Sequence, residues 1–349
     1  MSTNDPRLAA TASSVRGAVD MTHGAGGRAM AELIRDVFQR HLANEFLAQG
    51  NDAALLGTVS GRLVMATDAH VISPLFFPGG DIGALAVHGT INDVAMIGAR
   101  PLWLSASFIL EEGFPLAELE RIVVSMALAA RDAGVPVVTG DTKVVEKGKG
   151  DGVFISTTGV GVLADGTDVS GGNARPGDAI LVSGTMGDHG VAILSKREHL
   201  GFETEIASDS QPLHDLAAAM LAAIPGIRVL RDPTRGGLSA ALNEIAQQSK
   251  VGMVIREAAV PVKPEVAAAC ELLGLDPLNV ANEGKLIAIC AAQDAETLLA
   301  AIRAHPKGQD AAIIGQIVAD QQALVRMETR LGGMRLIDWI VGEQLPRIC

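Results

Sequence analysis

The chain is expected to fold as two successive mixed α/β (α+β) halves, and three observations carry that expectation. Apolar runs of strand length are interleaved with apolar-faced helical stretches in both halves. A turn-rich joint, Asn173-Ala174-Arg175-Pro176-Gly177-Asp178, stands between them. The element order is irregular, so it does not spell the βαβ repeat of a doubly wound sheet. With 349 residues, two domains of ordinary size can form.

The first half starts after a small, polar stretch, residues 1–20, read as a disordered leader because it has no apolar core of a signal peptide. His23-Gly24-Ala25-Gly26-Gly27-Arg28 precedes a helix predicted over Ala29 to Leu42, where Met30, Leu33, Ile34, Val37 and Phe38 follow helical spacing. Ala53 to Val59 and Leu63 to Thr67 read as strands around Ser60-Gly61. Helices are predicted at Ile82 to Met96 and Leu116 to Ala133, and strands at Leu102 to Ile109, Val135 to Thr139 and Val153 to Val162. The second half begins with a strand, Ala179 to Ser183, then a glycine loop and a short helix from Val191 to Lys196. Helices at 213–223, 237–249 and 264–273 and strands near 251–255, 286–291 and 311–318 complete it, with a loop at 202–211. The boundaries drawn are 1–20, 21–170, 171–333, and a flexible tail over 334–349. Gly342 frees the last residues of that tail, which span about 25 Å when extended.

Hydrophobic residues make up 48%, aromatics only 3%, and tyrosine is absent, so the cores are aliphatic. A net charge of −12 argues against nucleic acid or an anionic membrane as a partner, since both need a basic face. No run approaches the ~20 apolar residues of a membrane span. Cys270, Cys290 and Cys349 show no paired spacing, which suits a reducing, cytoplasmic setting. Cys270 and Cys290 sit in apolar runs and read as buried hydrophobes.

Cys349 is different. It ends the run Leu345-Pro346-Arg347-Ile348-Cys349, where it can add little to a core, and it reads either as a carrier thiol on a tether or as a frayed end. Five aspartates lie at element ends beside glycine, asparagine or threonine: Asp52, Asp68, Asp93, Asp141 and Asp232. Each alone also fits a turn or a helix cap. Together they suit Mg²⁺ bridging phosphates. Gly24, Gly26 and Gly27 before a helix suit phosphate approach, although the Walker lysine is missing. Gly184-Thr185-Met186-Gly187-Asp188-His189-Gly190 reads as a structural turn first and a phosphate contact second. Lys143 and Glu283 lie next to glycine-bearing strand ends and suit a cleft as well as a surface.

These segments together resemble the HypE family of hydrogenase maturation factors, carbamoyl dehydratases of the aminoimidazole ribonucleotide synthetase, thiamine-monophosphate kinase and selenophosphate synthetase superfamily. The resemblance rests on H-G-A-G-G-R-A-M at 23–30, S-P-L-F-F-P-G-G-D-I-G at 73–83, N-D-V-A-M-I-G-A-R-P at 92–101, G-D-T-K-V at 140–144, G-T-M-G-D-H-G at 184–190, D-P-T-R-G-G-L at 232–238 and the final P-R-I-C. It covers residues 21–349, and P-R-I-C is its most specific part. Selenophosphate synthetases carry a reactive Cys or selenocysteine in the N-terminal glycine segment, which residues 21–30 here lack. Ala69 after Asp68 is a local departure.

The resemblance implies a two-domain aminoimidazole ribonucleotide synthetase-like fold with a dimeric β-barrel built by the N-terminal domains and ATP sites at the dimer interface. It implies ATP-dependent dehydration of an S-carbamoyl group on Cys349 to a thiocyanate, with Lys143 and Glu283 as the other catalytic residues. Gly24, Gly26, Gly27, Asp68, Asn92, Gly140, Asp141 and Thr142 would bind ATP, and Asp52, Asp93 and Asp232 would bind Mg²⁺. The implied partners are a second copy, the carbamoyltransferase HypF, and the iron-scaffold complex HypC–HypD, to which cyanide for the [NiFe]-hydrogenase iron would pass. Two alternatives remain at this point: a sister-type ATP-dependent small-molecule kinase or synthetase, and a non-catalytic thiol carrier.

Overall fold

A computed structural model of the chain describes residues 15–198, 206–339, 342 and 347–349. The expected leader falls outside these for residues 1–14, and of residues 15–20 Arg16, Gly17, Ala18 and Asp20 are exposed while Val19 is docked. Val19 is buried, its N–H donates to Phe114 O (2.8 Å), and it accepts from Gly113 N–H (2.7 Å).

A 3₁₀ turn over Met21–Gly24 is capped by Asp20 and leads to α1, Arg28–Leu33, which continues through a π-helical stretch Ile34–Gln39 into Arg40–Leu42. Leu33, Val37 and Phe38, on the predicted apolar stripe, are buried. The strand expected over Ala53–Val59 does not form: the segment is mostly exposed, and no neighbouring strand pairs with it among the described residues. A strand needs a partner for its backbone groups, and an alternating pattern alone does not supply one. β1 is Arg62–His70, β2 and β3 (Phe76–Phe77, Gly80–Asp81) make a small hairpin, and α2 is Ile82–Ala95. Asp81 caps α2, accepting from the N–H groups of Gly83 (2.7 Å) and Ala84 (3.2 Å). β4 (Arg100–Glu111), α3 (Leu116–Ala133), β5 (Val137–Val145) and β6 (Val153–Leu163) follow.

The first-half sheet has the order β1-β6-β4-β5, with only β4 and β5 parallel. It is open rather than a closed barrel, and β1 and β5 are its edges. One face is covered by α2, with α3 packed on α2. Close approach there depends on Gly159 and Gly161 of β6. A Cβ at Gly161 would stand 2.5 Å from Val94 Cγ1, and one at Gly159 would stand 2.9 Å from Thr90 Cγ2. The other face is open, and Leu63 and Met65 lie on it 65% and 73% exposed.

The second half holds β7 (Ala179–Val182), α4 (Asp188–Arg197), α5 (His214–Ala223), β8 (Val229–Arg231), α6 (Gly237–Ser249), β9 (Gly252–Arg256), α7 (Pro264–Leu273), β10 (Ile287–Cys290), α8 (Ala295–Ala304), β11 (Ala312–Val318), β12 (Val325–Glu328) and β13 (Met334–Ile337). Its seven strands run β13-β12-β9-β11-β7-β10-β8. Leu216, Met220, Leu298 and Ile302 of α5 and α8 fill one face, and Leu238, Leu242 and Ile245 of α6 the other. Sequence periodicity did not call α8, β8, β12 or β13. Cys270 and Cys290 are buried as expected. Among the described residues no helix is long and apolar enough to cross a membrane.

The halves are joined through Asn92. Its amide donates to Gln211 O (3.1 Å) and Glu283 O (3.4 Å), and its Oδ1 accepts from Leu213 N–H (2.7 Å). It is buried, so the residue expected to contact a nucleotide here bonds one half to the other.

Candidate active site

The acids expected to act together fall into two groups, on opposite faces of the first-half sheet. Strand side chains alternate between faces. Asp68 and His70 of β1 point toward α2, where a Cβ on Gly89 would meet His70 Nε2 at 3.1 Å and Asp68 Oδ2 at 3.5 Å. Asp141 and Lys143 of β5 point to the open face and are 55% and 64% exposed. The register runs Asp68↔Thr157, Thr157↔Ala106 and Ala106↔Gly140, so Asp68 and the Gly140-Asp141 pair are three strand spacings apart, about 14 Å.

The first group is a crowded acid cluster in which Glu283 alone is buried. Asp93 is the one residue of α2 that is not buried; it faces the cleft between the halves. Enough protein crowds it, with Asp232 and Asp68 nearby, to push its carboxyl up to about 7. Asp232, in the loop after β8, is pushed up to about 6 by burial, with Asp68 adding to the effect against the opposing pull of Arg231. Glu283 is 4% exposed. Burial, then the charges of Asp232, Asp209, Asp68 and Asp93, raise its carboxyl well above the usual range. Its Oε1 has no hydrogen-bond partner.

Local sequence explains how the Asp232 and Glu283 loops come together. Asn282 donates to Pro233 O (3.0 Å) and Val280 O (3.1 Å) and accepts from Gly187 N–H (2.7 Å), tying three loops into one. Asp209 accepts from Glu283 N–H (3.0 Å) and from Lys285 Nζ (3.1 Å). Gly284 must lack a side chain, because a Cβ there would lie 1.8 Å from Asp209 O.

The Cys349 thiol sits in this cluster. Burial first, then Glu283 and Asp68, raise its pKa, and Arg235 opposes them. It is therefore a neutral thiol where it lies. The tail expected to be a free arm is docked over residues 347–349; residues 343–346 are outside the described ones. Val71 N–H donates to Cys349 O (3.0 Å), Ser73 N–H donates to Arg347 O (3.2 Å), and Ile348 is 3% exposed. Arg347 pairs with Asp151.

The second group gathers around β5. Lys143 Nζ lies 2.7 Å from Asp141 Oδ2, and that hydrogen bond holds the Asp141 carboxyl below its usual range. Thr142 is buried between them in sequence, on the packed face. Gly24 packs on this strand: a Cβ there would stand 2.9 Å from Val144 Cβ, so its glycine is required by packing. Gly26 takes φ +76 and Gly27 leads into α1. Asp52 is exposed in the loop 51–53. Its neighbours Asn51 and Ala53, with Gly140, Asp141 and Thr142, line a cavity of about 290 Å³ against Phe38. Asp52 thus stands with the β5 group and not with Asp93 and Asp232.

Asp93 and Asp232 nonetheless suit Mg²⁺. Burial and neighbouring negative charge push both carboxyls up, and a hard cation can offset the charge that does so. Among the described residues no three acidic, His or Cys side chains converge tightly enough to hold a metal by themselves. Mg²⁺ commonly takes one or two carboxylates and completes its shell with water and substrate phosphates.

Several residues beside the cluster carried no role in the sequence reading. Arg235 and His189 lie inside quoted motifs, where an Arg or His flanked by glycines was the available signal. Arg231 and Arg197 had none.

Comparison with known proteins places the chain. Residues 50–163 match the family described as AIR synthase related protein, N-terminal domain, and residues 175–327 match its C-terminal domain. The carbamoyl dehydratase HypE of Cupriavidus necator is 70% identical over 334 residues, 95% of each chain. The chain belongs to the HypE family. A crystal structure of hydrogenase maturation protein HypE in complex with ATP superposes with a TM-score of 0.91 at 53% identity, over 94% of this chain and 99% of that one. HypE in a HypE–HypF complex is 49% identical with a TM-score of 0.78, over 88% of this chain and 99% of that one. The expected two-part mixed α/β fold of the AIR synthase superfamily is therefore the fold of this HypE-family chain.

Proposed function

We propose that the chain is an ATP-dependent carbamoyl dehydratase of hydrogenase maturation whose substrate is carried on its own Cys349. The observation that carries this reading is the placement of the Cys349 thiol among Glu283, Asp68 and Arg235. A thiol meant only for display would not sit half-buried among acids.

In this reading, the carbamoyltransferase HypF loads a carbamoyl group onto Cys349 sulfur; the HypE–HypF complex of a relative supports that pairing. The amide oxygen then attacks the γ-phosphorus of ATP, and the bond from that phosphorus to the ADP oxygen breaks. Nitrogen gives one proton to Glu283 as the O–P bond forms, Glu283 passes it to solvent and takes the second as the C–O bond breaks, and the oxygen departs within inorganic phosphate. A thiocyanate remains on sulfur, and its cyanide passes to iron on the HypC–HypD scaffold. Glu283 holds a proton while the clustered acids carry uncompensated charge, and becomes a base once that charge is balanced. Asp93 and Asp232 would hold Mg²⁺, with Asp68 supporting, and the ion supplies positive charge at the phosphates. Asp52, Gly24, Gly26, Gly27, Gly140, Asp141 and Thr142 form the nucleotide side with Lys143, whose ammonium balances charge on the transferring phosphoryl group.

The two groups lie on opposite sheet faces of one chain, so we assign Lys143 to the site of a second copy. The open face with Leu63, Met65 and Ile109 supports a homodimer closed through two such sheets into a barrel. Residues 21–170 would then serve ATP binding and dimerisation, 171–333 would hold the Glu283 side, and three free cysteines suit the cytoplasm.

The test is the intact mass of the carbamoylated chain after one ATP turnover. Loss of one water from the peptide bearing Cys349 is expected. An unchanged mass while ATP is consumed, or full turnover of a free metabolite by Cys349→Ser, would replace this reading with the small-molecule kinase.

A further inference from the structure

Four hydrogen bonds to the backbone, one buried apolar side chain and the Arg347–Asp151 ion pair hold residues 347–349 in place. Val71 and Ser73, just beyond the end of β1, donate their N–H groups to Cys349 O (3.0 Å) and Arg347 O (3.2 Å). His189 Nε2 lies 2.8 Å from the carbonyl between them, Ile348 O. Arg197 reaches across, donating to Arg347 O (2.8 Å) and, through Nε (2.9 Å) and Nη2 (2.6 Å), to Ser73 O. The apolar contact is the Ile348 side chain, 3% exposed, in the core cluster that also holds Phe77, Ile193 and Ala281.

His189 is set up to donate. Its Nδ1 lies 2.8 Å from Ser208 Oγ, and a Ser hydroxyl donating there leaves the proton on Nε2, aimed at Ile348 O. Burial keeps the ring neutral, and Phe77 packs edge-on against it with ring centres 5.6 Å apart. Every carbonyl from 347 to 349 thus has a donor. None of these donors touches the sulfur.

We propose that Val71, Ser73, His189 and Arg197 form a latch that reads the tail by its backbone, with the Ile348 side chain as the peg that sets its register. A one-residue slip would put Arg347 or Cys349 into the apolar pocket, so only the present register delivers sulfur to Glu283. His189 and Arg197 are positioning residues, acting through the tail and not on the reacting atoms. That the latch serves dehydration rests on the proposed function; that it holds the tail does not.

The test follows from the three free thiols. In the full-length protein, the alkylation rate of Cys349 reports how often the tail leaves, while buried Cys270 and Cys290 report the integrity of the fold. His189→Gln and Arg197→Gln are expected to speed Cys349 alkylation about 5- to 10-fold, the size of one lost hydrogen bond or a little more. Ile348→Ala is expected to speed it about 30-fold or more, and Ile348→Val is expected to restore most of the protection. Cys270 and Cys290 stay unreactive. Wild-type rates at Cys349 in the variants, or a parallel rise at Cys270 and Cys290, would overturn the latch. Water loss from the carbamoylated tail, measured alongside, separates the two claims. If the wild-type chain loses no water, the dehydratase reading falls, and the alkylation rates still judge the latch.

Discussion

The two faces of the first-half sheet treat the same residue type in opposite ways. On the open face Asp141 is solvated, bonded to Lys143, and held below the usual carboxylate range. Across the sheet, Asp93, Asp232 and Glu283 are crowded by protein and by one another, and all three are pushed up. One face carries a neutralised pair that is ready at any ordinary pH. The other stores unfavourable charge that only protons or a cation can relieve. Carboxylates of equal rank in sequence therefore divide into two kinds of work: strand parity turns Asp141 to the open face, while α2 and two second-half loops bring Asp93, Asp232 and Glu283 together on the other side.

The largest effect that would sharpen this contrast is at Glu283. Glu283→Gln removes the proposed base and keeps the shape, and the dehydration step should slow by about 10²- to 10⁴-fold in single-turnover mass analysis with nucleotide affinity retained. A dimer mixed from Lys143→Ala and Glu283→Gln copies tests whether the two faces meet across copies. If they do, one of the two sites receives both intact groups and about half of the wild-type rate returns. A mixed dimer as inactive as its parents would break the comparison by placing both groups in one chain's site.

A smaller effect is in pH. The folded-state values of about 7 for Asp93 and about 6 for Asp232 lie above the ordinary 3.8. The folded chain thus keeps protons that the unfolded chain has released, and metal-free stability falls as pH rises from about 4 to 7. Asp93→Asn should flatten that decline in Tm between pH 5 and 8, whereas Asp141→Asn should not. In the same window protons compete with Mg²⁺, so the Mg²⁺ concentration for half-maximal turnover should drop as pH rises. The smallest effect is the stability of Lys143→Ala. Its exposed ion pair contributes about 0–1 kcal/mol, so Tm should hardly move while dehydration is lost.

Much of this was legible in sequence, for identifiable reasons. Long periodic elements such as α2, α3 and α6 were found because their burial is written in their spacing. The acids were found because each stands beside glycine or asparagine at an element end. Their partition was not legible, because it depends on strand register and on which groups lie across a cleft. Within one chain Asp52 stands apart from Asp93 and Asp232, and the Asn92 side chain bonds the halves together, neither of which its local sequence announces. Ala53–Val59 had the alternation of a strand without a partner. The docked tail could not be foreseen, since His189 and Arg197 meet it from more than 140 positions away in sequence.

The tail has one more consequence. Val71 and Ser73 belong to the first half of the chain, His189 and Arg197 to the second, and residues 347–349 lie between them. The tail is therefore a clasp, and thermodynamic linkage makes its residence and the fit of the two halves reciprocal. Whatever shifts one half against the other changes how long sulfur stays inside, and a modified sulfur changes how firmly the halves are closed.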